Sequence, residues 1–254
     1  MAANILEVKN LTLRFGGLEA LHGLSLNFQT QKIVAIIGPN GAGKTTLLNA
    51  ISGIYAADEG EIVFLGRSIS QLQPHQIAPL GINRTFQQVQ LFANLSVLEN
   101  VMVGLHPRTK SGFLRGMFHL PKEREEERWI RKKAAEALEF LELLTKADWP
   151  ATSLSMAEQK KVEMARALVN EPKLLMLDEP VAGLNLREME GMAATLLKLK
   201  EKGQTILLVE HNMDLVMSIA DWVIVLNHGT KIGEGVPAEV QRNEQVIAAY
   251  LGSG

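Results

Sequence analysis

Residues 33–48 of this chain, IVAIIGPNGAGKTTLL, decide its fold. A β-branched apolar run is followed by a glycine-rich turn, a Lys-Thr pair and an apolar helix start, which is the context that the Gly-x-x-x-x-Gly-Lys-Ser/Thr pattern requires. Glycines at 38, 41 and 43 allow positive φ angles, so that backbone N–H groups can approach an anion. The next helix presents its N-terminal N–H groups to the same anion. The stretch therefore predicts a strand, a phosphate-binding loop and a helix in immediate succession.

The loop is expected to hold the phosphates of a nucleoside triphosphate. Lys44 would reach the β- and γ-phosphates, and the Thr45 hydroxyl would coordinate Mg²⁺. The alternative is a glycine-rich turn between a core strand and a core helix, but strand, turn and helix start all match the phosphate-loop pattern. The residues predicted to bind the nucleotide here are Gly38, Pro39, Asn40, Gly41, Ala42, Gly43, Lys44, Thr45 and Thr46.

Composition excludes several classes of function. A chain of 254 residues can bury a full core, as one large domain or two small lobes. A net charge of −2 and a pI near 6.3 do not favour nucleic acid as the main partner. The absence of cysteine excludes disulfides, cysteine-ligated metals and thiol catalysis. The N-terminal sequence MAANILEVKN does not resemble a signal peptide, and no apolar stretch approaches the roughly 20 residues of a spanning helix, so we expect a cytoplasmic protein.

The order of apolar segments indicates an α/β core interrupted by helices. Strand-like runs occupy residues 5–37 and 59–66, and strands alternate with helices again after residue 150. Residues 94–149 have helical character instead. There, RWIRKKAAEALEFLELL (128–144) places six apolar residues on one stripe that is expected to face a core: Ile130, Ala134, Ala137, Leu138, Leu141 and Leu144.

A pair of carboxylates closes the strand-like sequence KLLMLDEP at 173–180. Asp178 is expected to supply the second protein contact to Mg²⁺ in a phosphate-loop enzyme. Glu179, one residue further, would orient or polarise the attacking water. The alternative is a strand that merely ends in an acidic turn. This interpretation is less favoured because the same chain carries a phosphate loop.

The segment LSMAEQKKVEMARALVNEP (154–172) resembles the signature helix of ABC-type ATPases. Ser155 and Glu158 have the spacing of a capping box, and a capped helix N-terminus is an anion site. In that family the serine hydroxyl and the helix N-terminus reach across a dimer interface to the γ-phosphate on the partner. The resemblance therefore assigns Ser155 and Ala157 to nucleotide binding, whereas the motif alone would fit an ordinary capped helix.

The signature departs from the family pattern at two positions. The family usually has Gly where this chain has Ala157, and commonly Gln where it has Glu158. A methyl group at the close approach to the phosphate would cost about 1–3 kcal/mol if the interface cannot relax. Our hypothesis is that the composite ATP site completed by this signature is weakened. A heterodimer would then hydrolyse ATP asymmetrically, with unequal activity at its two sites. The alternative is that the alanine is accommodated.

Four further residues match motifs of the same family. Gln87 in RTFQ resembles the glutamine that senses the γ-phosphate and Mg²⁺, although a surface glutamine at a strand end would look the same. His211, directly after TILLVE, matches the switch histidine that contacts the γ-phosphate. Phe15 matches the aromatic that stacks on adenine, a contact worth about 1–3 kcal/mol, with a core phenylalanine as the alternative. Asn185 in AGLN replaces the more common aspartate of the D-loop.

These matches give one set of expected roles. The expected catalytic residues are Glu179, His211, Gln87 and Lys44, and the expected Mg²⁺ ligands are Thr45, Gln87 and Asp178.

The resemblance is most detailed to the ATP-binding subunits of branched-chain (hydrophobic) amino acid importers. It is carried by RFGGLEAL (14–21), GINRTFQQVQLFANLSVLENVMVG (81–104), DEPVAGLN (178–185) and VIAAYLG (246–252). Similar ATPases for lipopolysaccharide export lack the insertion at 105–128. That insertion is either a solvated loop or a contact with the permease or lipid headgroups. The rival functions are another ABC transporter ATPase and, less favoured, a soluble ABC ATPase.

The resemblance implies one nucleotide-binding domain over residues 1–254. Its α/β fold would be the P-loop NTPase core of the ABC ATPase type, formed by 1–87 and 155–254, with an N-terminal antiparallel β subdomain. An inserted α-helical subdomain would span about 88–154, and the C-terminal helices would span 237–254. The implied cofactors are ATP and Mg²⁺.

The implied activity is ATP hydrolysis that powers the uptake of branched-chain amino acids. The implied partners are a second ABC ATPase subunit, identical or different, two integral-membrane permease subunits and, indirectly, an extracytoplasmic solute-binding protein. Nucleic acid is not among them. The implied location is peripheral, on the inner face of the cell membrane.

Overall fold

The computed structural model describes residues 4–85, 89–108 and 121–251. Their contacts form two compact units, one from Met1–Arg84 with Lys173–Gly254 and the other from Thr85–Pro172. Gln87 and half of the 105–128 insertion, residues 109–120, lie outside the described residues.

Strands of the described chain all belong to the first unit. In chain order they are β1 Asn4–Phe15, β2 Leu18–Gln29, β3 Ile33–Ile37, β4 Glu59–Phe64, β5 Arg67–Ser68, β6 Ile82–Arg84, β7 Leu174–Asp178, β8 Thr205–Val209, β9 Trp222–Asn227 and β10 Thr230–Gly235.

Helices occur in both units. In chain order they are α1 Lys44–Ile51, α2 Pro74–Ile77, α3 Val97–Met102, α4 Pro121–Phe140, α5 Met156–Leu168, α6 Leu186–Glu201, α7 Met213–Ile219, α8 Pro237–Val240 and α9 Glu244–Leu251. Short 3₁₀ segments lie at Ala78–Leu80, Val103–Arg108, Leu144–Lys146 and Ala151–Ser153. None of the helices in the described part of the chain is long and apolar enough to cross a bilayer.

An antiparallel sheet forms from the N-terminal strands in the order β2-β1-β4-β5. Its apolar side chains, such as Leu6, Phe28 and Phe64, are buried in one cluster with residues of β3 and α1. Alternation along β2 leaves the intervening positions exposed, because only one face of the sheet meets the core. The predicted N-terminal antiparallel β subdomain is confirmed.

A six-stranded sheet carries the rest of this unit, in the order β10-β9-β3-β8-β7-β6. Neighbouring strands are parallel except for β9 and β10, which are antiparallel. Every residue of β3, β7 and β8 is buried, which explains why these strands read as unbroken apolar runs. Because β3, β8 and β7 are adjacent, the loops that follow Ile37, Val209 and Asp178 emerge at one edge of the sheet, where ligands bind in such folds.

The second unit is helical, as predicted. Ala134 and Leu138 of α4 are buried, but Leu144 is 42% exposed, so the predicted stripe is wrong at that position. The reason is that α4 ends at Phe140 and the chain turns at Glu142, whose φ is 62°. Helix α5 packs against α3 and α4 and so belongs to this unit, whereas the sequence placed residues from 155 onward in the core.

Candidate nucleotide site

The phosphate loop links β3 to α1 and has the predicted backbone. Gly38, Gly41 and Gly43 have φ angles of 152°, 79° and 99°. At two of these glycines the space around the Cα atom excludes a side chain as well. A Cβ on Gly38 would lie 2.1 Å from the Leu226 carbonyl oxygen, and one on Gly43 would lie 2.8 Å from that of Ala20. The loop is therefore pressed between β2 and β9 so closely that only glycine fits at these positions.

Lys44 lies folded over this loop. Its Nζ donates to the carbonyl oxygens of Gly38, at 2.7 Å, and Pro39, at 2.9 Å. Burial lowers the pKa of Lys44, and the negative charges of Glu179 and Asp178 act against that lowering. The ammonium thus lies over the loop and within electrostatic reach of the two carboxylates at the end of β7.

The C-terminal helix also reaches the loop. Burial raises the pKa of the Tyr250 hydroxyl, and the backbone of Gly38 beside it acts in the opposite direction. The first glycine of the loop is therefore touched by a side chain from α9, more than two hundred residues away in sequence. No local sequence pattern around Tyr250 indicates this contact.

Asp178 ends β7 and lies almost fully buried, with 1% of its side chain exposed. Its Oδ2 accepts a hydrogen bond from Arg84 Nη2 at 2.8 Å. Its Oδ1 is buried and has no hydrogen-bond partner among the described residues. Burial raises the pKa of Asp178, while the hydrogen bond from Arg84 lowers it.

The donor set fits Mg²⁺. Carboxylate and hydroxyl oxygens are the ligands that this ion takes, together with phosphate oxygens and water. The buried Oδ1 of Asp178 supplies one such oxygen, and the exposed side chain of Thr45 in the first turn of α1 supplies another. Within the described residues no three His, Asp or Glu side chains cluster around a metal position of their own.

Glu179 and His211 meet at the same edge of the sheet. His211 Nε2 lies 2.7 Å from Glu179 Oε1, with 40% of the histidine side chain and 14% of the glutamate side chain exposed. Glu179 has a φ of 50°, in the left-handed region that side chains other than glycine rarely occupy. Its amide donates to the Val209 carbonyl at 2.9 Å, which holds this unusual backbone in place. Strain of this kind is concentrated at functional sites.

Glu210 supports this arrangement and was missed by the sequence analysis. Only 3% exposed, it accepts hydrogen bonds from the amides of Val181, His211 and Asn212, at 3.1, 3.0 and 3.3 Å. Burial raises the pKa of Glu210, and these three hydrogen bonds lower it. The sequence did offer one signal for this role: a carboxylate directly before His211, at the end of an apolar strand.

Arg84 was also missed, although it lies in the quoted RTFQ motif. Besides Asp178 it contacts α1, where its Nη1 donates to Asn49 Oδ1 at 2.6 Å. Its side chain is 8% exposed. A basic side chain that is buried at a strand end needs an acidic partner, and that rule could have pointed to it.

Phe15 ends β1 with an exposed ring. The residue is 44% exposed and makes an edge contact with Tyr55, with ring centroids 5.0 Å apart and planes at 77°. The alternative that it is a core residue is therefore wrong. The partly exposed ring is available for stacking.

The signature residues lie in the helical unit. Ser155 caps α5: its Oγ accepts from the Glu158 amide at 3.3 Å, and Glu158 Oε2 accepts from the Ser155 amide at 3.1 Å. The predicted capping box is confirmed. Ala157 is half-buried in the first turn, next to the cap.

Glu158 has a second partner. Its Oε1 lies 2.5 Å from Lys146 Nζ, and that ammonium lies 5.0 Å from the centroid of the Trp149 ring. Partial burial acts to raise the pKa of Glu158, but the hydrogen bonds from Lys146 and the Ser155 amide outweigh it and the pKa is lowered. The charge that Glu158 brings in place of glutamine is thus balanced within the unit.

Asn185 has a structural role in the described chain. It is the N-cap of α6, where its Oδ1 accepts from the Glu188 amide at 3.0 Å and its own amide donates to Glu188 Oε2 at 3.0 Å. Asparagine is among the best N-cap residues, so the departure from aspartate keeps the cap.

Two family profiles match the chain. One describes the ABC transporter family and covers residues 21–182. The other describes a branched-chain amino acid ATP-binding cassette transporter and covers residues 230–254.

Individual proteins are similar over nearly the whole length. The chain is 43% identical, over 99% of both chains, to the high-affinity branched-chain amino acid transport ATP-binding protein BraF of Pseudomonas aeruginosa. A crystal structure of a nucleotide-free ATP-binding cassette from an ABC transporter superposes with a TM-score of 0.86 at 35% identity, covering 98% of this chain and 99% of that one. A dimeric bacterial ABC transporter cassette gives a TM-score of 0.76 at 29% identity, covering 91% and 98%.

Proposed function

The chain belongs to the ABC transporter family, among the ATP-binding proteins of branched-chain amino acid transport, and on that premise we propose how it works. It hydrolyses ATP to drive the uptake of branched-chain and other hydrophobic amino acids through a membrane permease. One observation carries the hydrolysis: the Glu179 carboxylate and the His211 imidazole meet 2.7 Å apart, beside a lysine-bearing phosphate loop. The cargo is supported by similarity to BraF over the full length.

The phosphate loop binds the nucleotide in this proposal. Lys44 uses two of the three N–H bonds of its ammonium on loop carbonyls, which leaves one for a phosphate oxygen. The loop amides and the N-terminus of α1 add further donors. The exposed ring of Phe15 stacks on the adenine.

Hydrolysis is an in-line attack of water on the γ-phosphorus. Glu179 accepts the proton of that water, and the bond between the γ-phosphorus and the bridging oxygen of ADP breaks. His211 holds the γ-phosphate and, through its contact with Glu179, keeps the carboxylate oriented. Positioning and charge supply the catalysis, since phosphoryl transfer needs little covalent chemistry from the protein.

Asp178 and Thr45 would hold Mg²⁺, with Gln87, which lies outside the described residues, as a third ligand. When bound, the ion neutralises charge on the β- and γ-phosphates. The orphaned Oδ1 of Asp178 supports this assignment, because a buried oxygen without a partner is costly unless a ligand meets it.

We assign the assembly by analogy with the dimeric cassette of the same family. In this proposal two ATPase subunits, identical or different, enclose two ATP molecules, and Ser155 and Ala157 of one subunit face the γ-phosphate held by the other. Two permease subunits dock on the helical unit near residues 88–101 and place the ATPase on the inner face of the membrane. An extracytoplasmic solute-binding protein delivers the amino acid to the permease.

Uptake in living cells tests the cargo. A strain that lacks this chain is complemented with the wild type, with Glu179→Gln, or with the exposed control Glu190→Gln, and the uptake of radiolabelled leucine, isoleucine and valine is measured beside that of proline and glutamate. We expect the wild type and the control to restore branched-chain uptake and Glu179→Gln to leave it absent. Unchanged branched-chain uptake in the strain without the chain would show that the cargo is another solute.

Affinity capture of the tagged chain from gently solubilised membranes tests the transporter role itself. We expect two polytopic permease subunits and an ATPase partner by mass spectrometry. Recovery of soluble partners alone would favour the rival reading, a soluble ABC ATPase, and would leave the ATPase chemistry intact.

A further inference from the structure

We propose that Arg84 is a positioning residue of the ATPase site: it fixes the Asp178 carboxylate so that Oδ1, and not Oδ2, is the oxygen presented to Mg²⁺. The inference deepens the proposed function and rests on the assignment of Asp178 as a metal ligand. Neither the family motifs nor the spacing of the sequence assigns a role to Arg84.

The guanidinium of Arg84 bridges two elements of the nucleotide site through hydrogen bonds. Nη2 donates to Asp178 Oδ2 at 2.8 Å, and Nη1 donates to Asn49 Oδ1 at 2.6 Å. Asp178 closes β7, whereas Asn49 lies in α1, the helix that begins at the phosphate loop. Arg84 itself closes β6, so one planar group ties together two strand ends and the helix of the loop.

The two oxygens of Asp178 are therefore not equivalent. Oδ2 is occupied by the guanidinium, while Oδ1 is buried and has no hydrogen-bond partner in the described chain. A carboxylate is planar, so fixing one oxygen also fixes the direction of the other. The unsatisfied oxygen is a cost to the folded protein that a bound ion would remove.

Burial makes this control effective. The exposed fractions are 8% for the Arg84 side chain and 1% for the Asp178 side chain, so water does not compete for the pair. Arginine suits the task better than lysine, because its rigid fork can bond two acceptors in fixed directions at once. Groups that orient a metal-binding side chain in this way commonly change metal affinity by about 10–100-fold when they are mutated.

A purely structural ion pair is the competing explanation. Arg84 could simply hold β6 to β7, which are paired strands. In that case its loss would weaken nucleotide binding with and without the metal to the same extent. The proposal instead predicts an effect confined to the contribution of Mg²⁺.

The experiment compares nucleotide affinity with and without the metal in the full-length chain. Equilibrium binding of the β,γ-imido analogue of ATP is measured in EDTA and in saturating Mg²⁺, and the ratio of the two dissociation constants gives the metal contribution. We expect Arg84→Met to shrink this ratio by about 10-fold or more, with little change of affinity in EDTA. Arg84→Lys should shrink it less, and the exposed control Arg67→Met should leave it unchanged.

Asn49→Ala keeps the proposal testable if Arg84→Met does not fold. This variant removes only the hydrogen bond between Arg84 and Asn49 and keeps the ion pair between Arg84 and Asp178. We therefore expect a smaller loss of the metal contribution at a near-normal melting temperature. An unchanged ratio in both Asn49→Ala and Arg84→Lys would overturn the proposal, as would parallel losses in EDTA and in Mg²⁺. A wild-type ratio near one would instead refute the proposed Mg²⁺ site itself.

Discussion

His211 and Glu179 share a short contact, with the imidazole Nε2 lying 2.7 Å from the carboxylate Oε1. The two residues follow β8 and β7, which are adjacent in the sheet, so the contact joins the ends of two neighbouring buried strands. The histidine is the more exposed partner, at 40% against 14%. The imidazole is therefore the outer member of the pair, and the carboxylate lies behind it.

Replacing Glu179 by glutamine should separate binding from turnover. We expect ATP binding to persist and phosphate release to fall by about 10²–10⁴-fold, because the amide cannot accept the proton of the attacking water. Equilibrium binding and single-turnover phosphate release measure the two steps, with Glu190→Gln, an exposed glutamate on α6, as the matched control. Sustained turnover in Glu179→Gln would refute the assigned role.

His211→Ala should reduce kcat and kcat/KM together. Removing one preorganised donor to a developing charge typically costs about 10²–10³-fold in kcat. Equal losses in the two constants indicate an interaction made in the transition state. Steady-state kinetics, with the exposed control His75→Ala, measures both constants. A rise in KM with unchanged kcat would assign His211 to ground-state binding instead.

Glu210→Gln should destabilise the fold more than it changes the chemistry of the site. The two carboxylate oxygens serve three backbone amides, and a glutamine has only one acceptor oxygen to replace them. We expect a loss of about 1–3 kcal/mol in the free energy of unfolding. Denaturant titration beside Glu201→Gln, an exposed control, measures it; a difference below about 0.5 kcal/mol, the range of ordinary surface substitutions, would contradict this view of Glu210.

Ala157→Gly tests whether the unusual signature weakens one ATP site. If the methyl group limits the approach of the α5 N-terminus to the partner's phosphate, the variant should raise the ATPase rate of the assembled transporter. The methyl group would cost about 1–3 kcal/mol, so its removal should raise the rate by roughly 5- to 150-fold. An unchanged rate in the reconstituted complex means that the alanine is accommodated.

Lys146→Met should make the helical unit less stable near neutral pH but not in acid. The pKa of Glu158 is lowered in the folded chain, so its contribution is fully present above the ordinary value of 4.5 and is lost as pH falls through the lower folded value. We expect a loss of about 1 kcal/mol or less at pH 7, since both side chains are partly exposed. Urea unfolding at several pH values checks this, with Lys132→Met as control; a loss that does not shrink in acid would contradict it.

Local sequence patterns predicted the strands and the phosphate loop well. The unbroken apolar runs of β3, β7 and β8 reflect burial on both faces, and the glycines of the loop are required by φ angle and space together. The capping box of Ser155 is equally local. Features that depend on three or four neighbouring residues were therefore visible in the sequence.

Features that depend on distant residues were not visible. Arg84 and Asp178 are 94 residues apart, and only the pairing of β6 with β7 brings them together. Glu210 acquires its role from the amide of Val181, which belongs to another strand end. Leu144 failed as a core residue because a turn at Glu142 breaks the helical period, and a positive φ at a glutamate has no clear sequence signal.

The contact between Tyr250 and Gly38 offers a way to watch the nucleotide site from outside it. Ala248 lies on the exposed side of α9, two residues before the tyrosine that touches the phosphate loop. The sequence contains no cysteine, so Ala248→Cys would carry a single fluorophore without background labelling. A dye at that position would convert rearrangement of the loop into an optical signal, and the chain would become its own reporter of ATP occupancy during transport.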